Sequence, residues 1–317
     1  MNKIYHNKEK YKEVFGKFTD KDVMDGKVDK HSKCENYISV TDVKAMVSSP
    51  FDSDGIATNL VNKYYNDPTS KWYKLSKEQI LESWSNKGAL SMEYGKLLDE
   101  CANQLLEVQD DEEYEMFLLD NNYDDDERFK GNVDAMNAFI DRLAKTKRNK
   151  NGEYKENEIE FIGREIPVCY EIEDGKYVKG RIDALFYNKF TKDWIIIDWK
   201  SDEKIETNVT KWTKNCLGPA KNYPQISWYL YSIQLYTYKM ALLQTWLKDV
   251  DPSHIKCFIC NCPKTPYTDE HDETKNLTTP VPYNLYKMAF EYEPETLNKI
   301  YSFALKKKLL QIKKGHA

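Results

Sequence analysis

Asp183, Asp198 and Lys200 are the residues whose types and spacing could do chemistry. Asp198 and Lys200 close the run IIIDWKS, in which three β-branched apolar residues lead straight into an acid and a base two positions apart. Side chains two apart on a strand share a face, so both charges project together from the end of a buried element. Asp183 joins them across the turn NKFTKD: if Tyr187 pairs with Trp194, each pair of partners sums to 381 and Asp183 falls opposite Asp198. Opposed residues on an antiparallel pair have β-carbons roughly 4.5–5.5 Å apart, so two ionised carboxylates there repel unless something positive lies between them. A hard divalent cation meets that need, and magnesium typically takes one or two carboxylates and keeps several waters. Lys200 beside such an ion can orient or deprotonate a water, or neutralise charge on a phosphoryl oxygen. Ordinary strand-end acids would also show Asp-x-Lys; the signal sharpens with Gly180-Arg181-Ile182-Asp183 before it and Gln234 and Tyr238 after it. The last two stand at i, i+4 and face the same way on a helix.

Three successive strands must hold the acids: 163–172, 176–187 and 193–201, all rich in Ile, Val, Tyr and Phe and bounded by Gly, Asn and Asp. Before them, residues 39–47 read as a capped helix start with Ser39 or Thr41 as cap. A helix is expected over 77–106, with Ile80, Trp84, Leu90, Leu98 and Ala102 roughly on one face, and another near 132–146. From Tyr223 the pattern turns helical again, with Pro224 in the first turn and Ile226, Leu230, Ile233 and Tyr236 recurring at three and four. A strand at 254–261 and a final helix with a basic end at 294–314 complete an α/β or α+β arrangement. No repeat or Gly/Ser/Pro-rich linker marks a boundary. The division expected is a helical N-terminal elaboration over 1–76, a core over 77–262 with an acidic insertion at 107–127, and a strand and helix extension of the same domain over 263–317.

The chain's 317 residues, 40% hydrophobic and 13% aromatic, suffice for the core of one large domain. The N-terminus shows no apolar leader and no 18 apolar residues run together, so a cytoplasmic protein without a membrane helix is expected. Seven cysteines with no even framework of spacings read as reduced thiols. The net charge of −5 argues against nucleic acid until 107–127 is set aside: that stretch holds 11 acids and no Lys or Arg. The remainder carries 47 basic against 41 acidic residues, a net of +6. The acidic run itself reads as a solvated helix face or loop.

The ordered set GRIDAL, IIIDWKS and SIQLYTY resembles the core motifs of the PD-(D/E)XK nuclease superfamily, in the RecB-like branch marked by a Gln-x-x-x-Tyr helix. The resemblance covers about residues 88–262 and implies a restriction-endonuclease-like core, a central mixed β-sheet flanked by helices. It implies that Asp183 and Asp198 bind Mg2+ or Mn2+ together with the carbonyl of Trp199, that Lys200 assists catalysis, and that Gln234 and Tyr238 help hold DNA near the site. It also implies a Gly-x-x-x-His on a flanking helix. The matching stretch is Gly95-Lys-Leu-Leu-Asp99, so Asp99 stands where a metal-contacting His is expected, and Asp is an adequate oxygen ligand. Glu165 is a weaker candidate, inseparable by its spacing from a solvent-facing strand acid.

Some members of this branch hold an iron–sulfur cluster, and Cys257, Cys260 and Cys262 invite the comparison. Their spacing departs from the wider one of those members, and Cys in an apolar strand serves as a small hydrophobe, so no cluster is expected. Between the catalytic strand and the Gln helix, Lys211, Lys214 and Lys221 interleave with Trp212, Tyr223, Trp228 and Tyr229. Basic groups there can track a phosphate backbone while rings stack on unpaired bases; Trp212 is the better stacking candidate, since Trp228 and Tyr229 equally read as packing. The resemblance implies an exonuclease of recombination, repair or replication, closest in kind to stand-alone phage enzymes of a host cytoplasm. No phosphate-binding loop ending in Gly-Lys-Ser/Thr is present, so a helicase or a recombination or annealing protein would act separately. Two rival readings share the core: a catalytically silent DNA-binding or assembly module, and an endonuclease.

Overall fold

The computed structural model describes residues 4, 6–15, 37–108, 110–148, 154–156, 158–173, 175–265, 267–268, 280–289, 291 and 293–315. Along the chain come α1 (Lys8–Phe15), β1 (Tyr37–Ser39), α2 (Val40–Val47), α3 (Ser53–Tyr64), α4 (Lys77–Asn103), α5 (Asp111–Asp120) and α6 (Glu127–Ala144). The strand-rich half follows: β2 (Lys145–Arg148), β3 (Tyr154–Glu156), β4 (Ile159–Glu173), β5 (Lys176–Asn188) and β6 (Trp194–Lys200). Then come α7 (Ser227–Thr245), β7 (Ile255–Asn261), β8 (Tyr267–Thr268), β9 (Pro280–Val281), β10 (Asn284–Lys287) and α8 (Pro294–Gly315).

The main sheet is ordered β1-β5-β6-β7-β10, with β4 also paired to β5. Strands β4, β5 and β6 run as antiparallel neighbours, while β6 and β7 are parallel, Trp194 to Ile255 through Lys200 to Asn261. The pairing of β5 with β6 keeps the register expected from the sequence: Tyr187 faces Trp194 and Ala184 faces Ile197. Because β4 occupies one edge of β5 along its length, β1 and β6 must share the other. Strand β1 pairs in parallel as far as Lys179, and β6 takes up pairing at Ala184. A notch four residues wide is left between them, filled by Gly180-Arg181-Ile182-Asp183.

Each face of the sheet carries its own apolar layer. One gathers Val40, Val43 and Val47 of α2, Ile233 and Leu235 of α7 and Ile300 and Tyr301 of α8 against Ile196 and Ile259. The other packs Leu98 and Ala102 of α4 and Phe129 and Phe139 of α6 against Phe186, Ile197 and Trp199. Strands covered on both faces read as continuous apolar runs, which is why Trp194-Ile195-Ile196-Ile197 leads into the site. Helix α7 is buried without a break from Ser232 to Lys239, the mark of a helix enclosed on all sides.

Local chemistry sets the helix ends. Ser39 caps α2 in a reciprocal box with Asp42, and Ser76 does the same for α4 with Gln79. The acidic run is a helix in part, α5, capped by Asp110 and anchored by buried Tyr114. Three expectations need correction. Leu90 is 50% exposed: α4 packs through Trp84 on Phe51 and Trp72 near its start and through Leu98 and Ala102 near its end, leaving its middle in solvent. Pro224 lies before the helix, which starts at Ser227, because residues around it form a bridge with Asn215 instead. Helix α6 starts earlier than 132, at Glu127, where Asp126 accepts from the backbone N–H groups of Arg128 and Phe129. The basic end expected of the last helix, Lys313 and Lys314, lies outside the described side chains. No described helix is long and apolar enough to cross a membrane.

Gly131 of α6 sits under the chain that leaves β7: a β-carbon there would lie 1.7 Å from the carbonyl oxygen of Lys264. Gly131→Ala is therefore expected to destabilise by about 3 kcal/mol through overpacking. The gain of up to about 1 kcal/mol in helix propensity does not offset this. A lowered urea midpoint checks it; an unchanged or raised one refutes the packing.

Candidate active site

The notch in β5 is where the motif residues meet. With no strand on the notch edge, the N–H of Arg181 is free to bond the hydroxyl oxygen of Tyr238. Tyr238 can approach only because residue 180 is Gly: a β-carbon there would lie 2.5 Å from the Tyr238 ring. At the end of the notch Asp183 turns its carboxylate on the next strand, and its Oδ2 accepts the backbone N–H of Trp199 at 2.8 Å. This bond ties the first acid to the backbone between the second acid and the lysine.

Asp198 is fully buried. Its Oδ2 lies 2.5 Å from Lys200 Nζ, and the same ammonium donates to the carbonyl of Trp199 at 2.8 Å. As the alternation requires, Trp199 points to the opposite face and packs edge-on to Phe139 at 5.4 Å. Burial, then the nearby charge of Asp198, pushes the Asp183 carboxyl well above the usual range. Burial alone would depress Lys200, but Asp198 and Asp183 outweigh it and hold its ammonium above the ordinary lysine value. Lys200 thus stands as a protonated group against the acids.

Gln234 spans the next layer. Its Nε2 donates to Asp198 Oδ1 at 2.7 Å and to the Tyr238 hydroxyl at 2.9 Å, so the Gln-x-x-x-Tyr pair is joined to the acid. Its Oε1 accepts from Lys44 Nζ of α2 at 2.5 Å. Lys44 and Lys200 lie 5.0 and 4.9 Å from the centre of one ring, Tyr231, whose hydroxyl donates to Asp202 at 2.8 Å. Arg128 of α6 closes the far end of β6, donating to the carbonyl of Ser201 at 2.7 Å. Lys44, Tyr231, Asp202 and Arg128 were not anticipated. For Lys44 a signal existed: it shares the i, i+4, i+7 face of Val40 and Val47, an apolar face where a lysine is out of place.

Other candidates are placed elsewhere. Asp99 is on α4, which passes the end of β6 at Gly95, but its carboxylate pairs with Arg164 at 3.0 Å. Glu165 has a positive φ of 49° in β4 and pairs with Arg181 at 3.3 Å; it adds to the charge felt by Asp183 without joining the acids. Among the described residues no three acids, histidines or cysteines gather as a metal cluster. Lys211, Trp212 and Lys214 lie exposed on the loop between β6 and α7, Trp212 being 81% exposed with Lys211 over its ring. Trp228 packs and donates its indole N–H to the carbonyl of Lys287. The sheet separates Cys257, in the α7 layer, from Cys260 and Cys262 in the other.

Two carboxylates and the Trp199 carbonyl form an all-oxygen donor set, and the part of the rise at the Asp183 carboxyl that comes from Asp198, second to burial, is one a cation would relieve. That donor set fits a hard divalent cation.

The PD-(D/E)XK nuclease superfamily matches residues 64–315, most of the chain, and the chain belongs to that superfamily. Its mixed sheet flanked by helices is the restriction-endonuclease-like fold. A solved structure from Eubacterium rectale, provisionally described as an exonuclease, is similar over 89% of this chain and 83% of that one, with 12% identity and a TM-score of 0.40. No curated protein matches.

Burial, and then the charge of Lys200, pulls the Lys44 ammonium down to about 8 from 10.5. A lysine lowered by folding weakens the fold in full below its folded value and not at all above its unfolded one. Relative to Lys44→Met, the wild type is therefore expected to gain roughly 3 kcal/mol as pH rises from 7 towards 10.5. Urea unfolding of both proteins across that range checks it; a pH-independent gap contradicts it.

Proposed function

We propose that this protein is a metal-dependent deoxyribonuclease, an exonuclease that hydrolyses phosphodiester bonds during recombination, repair or replication of DNA. The observation that supports it most is the closeness of Asp183 and Asp198, one step beyond the last paired residues of β5 and β6, with the Lys200 ammonium 2.5 Å from Asp198. Asp183, Asp198 and the carbonyl of Trp199 would hold magnesium or manganese, which supplies Lewis-acid charge and lowers the pKa of a bound water. Asp183 and Asp198 fix that position, the first through Trp199 N–H and the second through Gln234. Lys200, held protonated by both acids, neutralises charge developing on a phosphoryl oxygen and orients the water rather than deprotonating it. Tyr238 and Gln234 stiffen the acids against the strand. Lys211, Lys214 and Trp212 form an exposed basic and aromatic stretch suited to a single strand.

The exonuclease assignment, the setting in phage-type or cellular DNA processing and a cytoplasmic site rest on the motif resemblance. The engagement of Asp99 by Arg164 favours, in part, the rival of a silent binding module, because it removes an acid from the site.

End-labelled linear single- and double-stranded DNA, with closed circles alongside, distinguishes the readings. Wild type in magnesium or manganese is expected to degrade linear DNA and spare circles. EDTA abolishes this, and Asp183→Asn and Lys200→Ala each lower the rate by at least about 100-fold. Cutting of circles would convert the assignment to an endonuclease. A folded protein that binds DNA but cleaves nothing in either metal would leave the silent module.

A further inference from the structure

Lys44 is supplied from outside the region matched by the superfamily, which starts at residue 64. The fold nevertheless fixes it firmly. Strand β1 registers the start of α2 on β5, Tyr37 to Tyr177 and Ser39 to Lys179, and the Ser39 cap starts the helix at once. From the other side α8 grips it: Lys308 pairs with Asp42 at 2.7 Å and Lys307 donates to the carbonyl of Met46 at 2.8 Å. Beyond α2, Ser49 and the side-chain amide of Gln225 exchange two hydrogen bonds, tying the segment to the entry of α7.

So held, Lys44 has little to do for the fold itself. An ammonium has three N–H donors. Among the described residues its hydrogen bond goes to a neutral amide oxygen, that of Gln234, and it makes no ion pair. Lys200, by contrast, is spent on Asp198 and the Trp199 carbonyl. The Gln234 amide stands between Lys44 and Asp198, accepting from the first and donating to the second, so Lys44 feels the acids' charge without touching an acid oxygen. Both lysines flank the Tyr231 ring. The residue is partly exposed, so an anion can reach it.

We propose that Lys44 holds a phosphate oxygen of the bound DNA strand next to the acids, as a substrate-binding residue set by α2. This rests on the nuclease reading. The alternative is that Lys44 merely positions Gln234.

The test uses the whole chain and a fluorescent single-stranded oligonucleotide, with binding followed by anisotropy in calcium across a salt series. Loss of one phosphate contact in Lys44→Met is expected to weaken binding about 5–10-fold and to flatten the plot of log affinity against log salt by about 0.7, while Lys44→Arg keeps the wild-type slope. In cleavage, Lys44→Met is expected to raise KM more than it lowers kcat. Should that variant not fold, Lys44→Gln replaces it, since it keeps a donor for Gln234. A neutral variant that stays folded with the wild-type slope overturns the inference, whatever its activity, and leaves only the positioning of Gln234. If wild type cleaves DNA, that result sinks this proposal alone; a wild type that neither binds nor cleaves sinks the nuclease reading with it.

Discussion

The site depends on one constraint: two carboxylates, Asp198 fully buried and Asp183 half-buried, are held close together at the end of a core strand. Each would lower its energy by separating, and the strand register does not allow it, because shifting β5 against β6 by one residue would turn every apolar side chain of both strands to the wrong layer. The hydrophobic burial of the sheet thus enforces an electrostatic arrangement it gains nothing from. What surrounds the acids answers the repulsion. Lys200 places its charge on Asp198, Trp199 gives a backbone donor to Asp183, and Gln234 takes the remaining oxygen of Asp198.

The interrupted edge of β5 makes this possible. A continuous ladder would have claimed the backbone of residues 180–183 and filled the space that Tyr238 occupies. Ending β1 at Ser39 and starting the β6 pairing at Ala184 opens the sheet without exposing its core, because α7 covers the gap. The glycine at 180 and the tyrosine at 238 are one device: the first removes the side chain that would keep the second away.

The parts of this arrangement that sequence alone discloses are the local ones. The β5–β6 hairpin has a short turn, so the register Tyr187–Trp194, which brings Asp183 and Asp198 together, and the shared face of Asp198 and Lys200 could be read from it. The i, i+4 spacing of Gln234 and Tyr238 likewise carried over, since a helix fixes it. Contacts across long stretches of chain could not be read: Lys44 meets Gln234 across 190 residues, and Arg164 meets Asp99 across 65. Nothing in Gly95-Lys-Leu-Leu-Asp99 shows that an arginine from β4 will claim its acid. The exposed Leu90 misled because α4 serves two packing partners in turn, so no single face is buried along it.

The grip of α8 on α2 has a bearing on the order in which the chain becomes a working molecule. A ribosome makes the acids, the lysine and the Gln-x-x-x-Tyr helix well before Lys307 and Lys308, and pairings that span most of a chain form late because their loops are costly to close. Until α8 is synthesised and docked, α2 lacks its clamp and the side of the acid cluster where Lys44 sits is unsecured. A nascent chain therefore carries its reactive groups before the frame that aligns them, which arrives only with α8.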